Sequence, residues 1–141
     1  MRKICWQIPA MANPAAKQGD QVLATDIHIV MIPTPGGPVP TPLPNPFVGQ
    51  LDGGLSSDVN IDGKPAATKG STATNSPAHI PAGGPFQTPP KNRGEIFIGS
   101  TTVNINGKPA ARMGDTALTC NDPADQPIGQ VIAVSTVLIG G

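Results

Sequence analysis

Val59-Asn60-Ile61-Asp62-Gly63-Lys64-Pro65-Ala66-Ala67-Thr68-Lys69-Gly70-Ser71 returns later in the chain as Val103-Asn104-Ile105-Asn106-Gly107-Lys108-Pro109-Ala110-Ala111-Arg112-Met113-Gly114-Asp115. A third copy, lacking its left half, stands near the start as Pro14-Ala15-Ala16-Lys17-Gln18-Gly19-Asp20. The missing half stands at the other end as Val137-Leu138-Ile139-Gly140-Gly141. Self-similarity of this kind means that one supersecondary unit is used several times. Because the end of the chain supplies what its beginning lacks, the expected arrangement is a ring closed by the two termini.

Each complete copy reads as a hairpin. Val-Asn-Ile alternates apolar and polar, the period of a half-buried strand. Asp62-Gly63 and Asn106-Gly107 suit a two-residue turn that needs positive φ at both positions. The proline after each lysine has no N–H to donate and belongs at a strand edge or bulge. The paired alanines let neighbouring backbones approach closely. Pro and Gly interrupt every window of helical length, so no helix is expected. The expected fold is all-β, of short strands and hairpins with pseudo-threefold repeats and Pro/Gly-rich loops. Residues 32–46 and 81–92 are dense in proline and are expected to be rigid surface loops, in polyproline II or turns.

Composition bounds the function. A length of 141 residues fits one domain. We expect residues 1–10 to be an extension of little structural weight and residues 11–141 to be the domain. The 17 Gly and 18 Pro approach a low-complexity composition, but 38% hydrophobic residues argue against disorder. The aromatic residues are Trp6, Phe47, Phe86 and Phe97. A core of Val, Ile, Leu and Ala is thin, and a structural metal is one way to staple it. Nine basic residues balance nine acidic ones with no basic stripe, which excludes nucleic acid as a partner and disfavours an electrostatic membrane anchor. No apolar run reaches 18 residues, so no segment is expected to span a membrane. Arg2-Lys3 imitates a signal start, but the apolar stretch that follows is broken by Gln7 and Pro9. Cytoplasmic synthesis without a secretory signal is therefore expected.

The chemistry emerges by counting from each Pro-Ala-Ala. Pro14 to His28 is 14 residues, Pro65 to His79 is 14, and Pro109 to Cys120 is 11. A single histidine among apolar residues is more often a core or surface histidine than a ligand. Here the two histidines of the chain, and its one cysteine outside the N-terminal tail, hold equivalent places in three repeats. Around a threefold axis such places converge, and two imidazoles with a thiolate make a zinc site. Structural zinc takes four ligands. Asn45, Asp122, Cys5 or a water are the candidates for the fourth.

At Pro14-Ala15-Ala16-Lys17, Pro65-Ala66-Ala67-Thr68 and Pro109-Ala110-Ala111-Arg112 the chain resembles the PAAR-repeat family, and the third copy spells the family name in full. Gly19-Asp20, Gly114-Asp115 and the run from Gly99-Ser100 to Asn106-Gly107 fit as well. The resemblance implies a β-stranded cone that sharpens the end of a trimeric β-helical spike in a contractile injection system. Such spikes belong to type VI secretion systems and to phage-tail-like extracellular particles. It implies a monomer seated by its broad base on the trimeric spike protein, with effectors as possible further partners and transient contact with a target membrane. After cytoplasmic synthesis, delivery would occur at the particle tip. The family pattern is a zinc near the apex held by three histidines and a cysteine, and this chain departs from it with two histidines. The proline-rich stretch Thr34–Pro46 is more similar to the tips of extracellular particles.

Three other readings compete. One is a zinc hydrolase with an open metal position, for which Asp26 and Asp122, near the ligands, are candidate bases. No Ser–His–Asp, nucleophile-elbow or phosphate-loop pattern supports catalysis, and no catalytic residue is expected. Another is a β-solenoid, whose repeats should share a short fixed period. The unequal insertions here favour a closed cone. A toxin-bearing tip would need an extra domain, and the expectation is that none follows the last repeat strand.

Overall fold

The computed structural model describes residues 12–141. The extension at residues 1–10, and Cys5 within it, lie outside the described residues. Among the described residues there are twelve strands and no helix. They are β1 (Asn13–Pro14), β2 (Gln21–Ile32), β3 (Val39–Gly53), β4 (Asn60–Ile61), β5 (Lys64–Pro65), β6 (Thr72–Asn75), β7 (Arg93–Ile96), β8 (Asn104–Ile105), β9 (Lys108–Pro109), β10 (Thr116–Thr119), β11 (Gln126–Ile132) and β12 (Leu138–Ile139).

Six strands close an antiparallel barrel in chain order, β2-β3-β6-β7-β10-β11, with β11 returning to β2. The other six make three two-stranded ribbons. Two are the expected hairpins, β4–β5 and β8–β9. Their turns have positive φ at both central residues, 49° and 81° at Asp62-Gly63 and 54° and 77° at Asn106-Gly107, as a type I′ turn requires. The third ribbon pairs β12 with β1, Asn13 opposite Ile139, so the ring is closed by the two ends of the repeat set.

The alanine pairs explain the threefold packing. Ala16 N–H donates to Ala111 O at 2.9 Å, Ala111 N–H to Ala67 O at 3.0 Å, and Ala67 N–H to Ala16 O at 3.0 Å. A parallel cycle runs from Gln18, Lys69 and Met113 to the carbonyls of Pro65, Pro109 and Pro14. Proline serves there because only its carbonyl is used. Three backbones meet this closely only if the side chains between them are small, and Ala16, Ala67 and Ala111 are buried to within 1%.

Two apolar layers stack on this ring. The ribbons bury Ile61, Ile105 and Ile139 over Ala15, Ala66 and Ala110. The barrel buries Leu51, Ile96 and Val131, three equivalent residues, together with Phe47 and Val22. Each large aliphatic or aromatic side chain so buried is worth about 1.5–3 kcal/mol.

The proline-rich stretch corrects one expectation. Residues 33–38 form a turn, but residues 39–46 are not a loop, because β3 begins at Val39 and pairs with β2 without interruption from Ile32↔Val39 to Gln21↔Gln50. Pro40, Pro42, Pro44 and Pro46 fall at every second position, so all lack their N–H on the same side of the strand. The next residue in that phase, Val48, donates its N–H to Asn75 Oδ1, away from β2. The odd-numbered residues keep their N–H groups for β2, as Leu51 does toward Asp20 O. Period-two proline is thus compatible with a strand whose outer edge, from residue 39 to 46, has no partner strand. Residues 81–92 do remain irregular, apart from a bridge of Phe86 to Val30.

Candidate metal centre

Beyond the apolar layers the barrel interior turns polar. β2 runs past the shorter pairs and carries Val22, Asp26, His28 and Val30 on its buried face. β10 stops at Thr119, and the next residue, Cys120, points into the same space. β6 stops at Asn75, and the segment after it is tied back by Asn92, whose Oδ1 accepts from His79 N–H at 2.8 Å and from Asn75 Nδ2 at 3.0 Å. Asp26, His28, His79 and Cys120 each offer one ligand atom, and the four atoms lie within 4.8 Å of one another. All four residues are buried.

The geometry brings His28, His79 and Cys120 together, as the repeat offsets predict. Among the described residues the donor atom that joins these three belongs to Asp26, which was not among the sequence candidates for the fourth ligand. Asn45 sits opposite Asp26 in the β2–β3 register and is buried, but its amide donates to Leu43 O. Asp122 lies outside the four-atom group, and Cys5 lies outside the described residues. The period-two relation of Asp26 to His28 was the available signal: two residues apart on a strand means one shared face.

The carboxylate is well prepared. Asp26 Oδ1 accepts from Thr119 Oγ1 and Asn121 Nδ2, while Oδ2 faces His79 Nε2 at 2.9 Å and Cys120 Sγ at 3.4 Å. Burial, and then the Asp26 charge, push the Cys120 thiol up to about 11. His28 packs its ring 5.0 Å from that of His79 and 5.8 Å from Phe86. Both His28 ring nitrogens are buried and neither has a hydrogen-bond partner. A buried imidazole with nothing to bond costs on the order of 1–3 kcal/mol, a cost that coordination to a cation removes. These donors could hold a metal ion. A cleft of about 550 Å³ opens beside His28 and Cys120, with Pro90, Lys91 and Asp125 among its walls.

Among the described residues, no helix is long and apolar enough to cross a membrane. No curated protein matches the chain. The family model described as the PAAR motif matches residues 31–117 and 86–141. The first copy, from Pro14, precedes those spans, but the alanine hydrogen-bond cycle treats it as equivalent to the other two. With its repeats matched over most of its length and joined in one threefold ring, the chain belongs to the PAAR motif family.

Proposed function

We propose that the protein is a structural spike tip, one copy capping a trimeric β-helical spike of a contractile injection system, of the phage-tail-like extracellular kind. The PAAR motif family is a family of such tips and not of enzymes, which supports a spike partner in general terms. The observation that carries the reading is the closed cycle Ala16–Ala111–Ala67. A single chain with threefold backbone symmetry can present one repeat to each subunit of a trimer. Leu138 and Val134 stay exposed near the ribbon end, where such a base would dock. The match of the stretch Thr34–Pro46 to extracellular particles rests on the sequence resemblance.

His28, His79, Cys120 and Asp26 are read as the ligands of a structural zinc. Tetrahedral zinc with nitrogen, oxygen and sulfur ligands needs donors roughly 3.3–3.8 Å apart, a spacing within reach of atoms no more than 4.8 Å apart. When bound, zinc supplies coordinate bonds that tie β2, the segment after β6 and the end of β10 to one point. The test is native mass spectrometry with elemental analysis, alone and with the cognate trimeric spike. One zinc per monomer and one tip per trimer are expected. Three tips per trimer, or no complex, would sink the capping reading.

The hydrolase reading draws on the cleft beside His28 and Cys120. Against it, Asp26, one of its candidate bases, stands among the four donors and fills the position that a catalytic zinc leaves for water. Turnover of ester, peptide or phosphate substrates that disappears in His79→Ala would favour the hydrolase.

A further inference from the structure

Asn121 and Asp122 run along the edge of β2 beyond the point where β11 stops pairing with it. Ile27 N–H donates to Asn121 Oδ1 at 2.7 Å, Asp122 N–H donates to Ile27 O at 2.9 Å, and Ile29 N–H donates to Asp122 Oδ2 at 2.8 Å. These bonds bracket His28 from both sides. The Asp122 carboxylate is therefore set by the backbone of β2 itself, on the strand that carries the histidine.

Its Oδ2 lies 3.6 Å from His28 Nδ1, a separation that a small ring rotation closes to a hydrogen bond. Asp122 is outside the donor group, whereas Asp26 is inside it. The two carboxylates thus stand in different relations to the imidazole. A neutral imidazole has one N–H and one bare nitrogen, and the partner of the N–H decides which nitrogen is left for a cation. His79 has an amide in the corresponding place, with Asn75 Nδ2 3.2 Å from its Nδ1.

We propose that Asp122 is a positioning residue for His28: it holds the proton on Nδ1 and leaves Nε2 bare toward Asp26, His79 and Cys120. This inference rests on reading the four-donor group as a metal centre. It explains why a carboxylate outside the donor group is fixed beside His28 by the Ile29 N–H, while the Asp122 main chain is bonded to Ile27 O.

The test uses the full chain with ¹⁵N-labelled histidine, chelated and zinc-loaded. Long-range ¹H–¹⁵N spectra report the His28 tautomer. In the native sequence, Nδ1–H is expected in both forms. Asp122→Asn keeps a carbonyl oxygen for the Ile29 N–H and removes the charge. It is expected to shift the chelated form toward Nε2–H and to weaken zinc binding about 10- to 100-fold in competition with a chromophoric chelator. Nε2–H in the native protein overturns the inference, and so does an Asp122→Asn variant with unchanged tautomer and zinc affinity. If the variant does not fold, the native tautomer alone decides. If the native protein takes up no zinc, the metal-centre reading fails, and the tautomer in the chelated form still decides for or against Asp122.

Discussion

The ribbon end and the donor end of this molecule are built on opposite principles. At the ribbon end every repeat contributes alike: one isoleucine, one pair of alanines, one link in each hydrogen-bond cycle. At the donor end the contributions are unequal, with two ligand atoms from the first repeat and one from each of the others. Symmetric apolar packing needs no further partner, because burial and backbone pairing already stabilise it. The donor end buries a carboxylate, a thiol and two imidazoles, groups that cost free energy to desolvate unless something compensates them. The two ends should therefore answer differently to mutation, to chelation and to pH.

The largest effect is expected from cutting the donor set. His79→Ala and Cys120→Ala should each lose the metal and lower thermal stability, while chelation should have little further effect on either variant. Zinc present at 1,000 times its Kd stabilises by about 4 kcal/mol, so a drop in Tm on the order of 10–20 °C is expected. Retained zinc and unchanged melting in both variants would remove the contrast between the ends.

Next comes the ribbon end. Ile61→Ala, Ile105→Ala and Ile139→Ala should each cost about 2–4 kcal/mol, by similar amounts, since the three residues are 5%, 8% and 6% exposed in one cluster. Denaturant titrations with and without chelator should give the same cost. A penalty in one repeat far above the others would show that the threefold symmetry does not extend to energetics.

The smallest effect concerns protons. The Cys120 thiol is held up to about 11, so it is protonated at neutral pH and must give up its proton to a metal. Zinc affinity should therefore rise with pH, about tenfold per unit between pH 7 and 9, and fall as pH drops. A pH-independent affinity would argue that Cys120 is not a ligand. Melting of Ile105→Ala relative to the native protein should show no such slope.

Most of the ribbon end was legible in the residues. Asp-Gly and Asn-Gly turns, Val-x-Ile alternation and repeated Pro-Ala-Ala are local signals, and the C-terminal half-unit announced its pairing with Pro14. The convergence of His28, His79 and Cys120 also followed, from equal offsets within repeats. Asp26 was visible as a candidate base and not as a ligand, and its place among the donors depends on which face of β2 turns inward. Asn92 gave no signal, because it acts through contacts with a distant segment, and Asp122, a sequence candidate for the fourth ligand, lies beside the donor group and not in it.

By itself, then, the sequence determined the repeat, its turns, its order around the ring and three of the four donors, because these depend on short-range φ preferences and on period. Only the tertiary structure decided that Pro40 to Pro46 extend a strand, since a proline's missing N–H is tolerated or not according to whether a neighbour lies on that side. It alone decided that Asp26 and not Asp122 joins the donors. Two carboxylates of the same intrinsic chemistry are separated there by a few ångströms of packing, which no local pattern encodes.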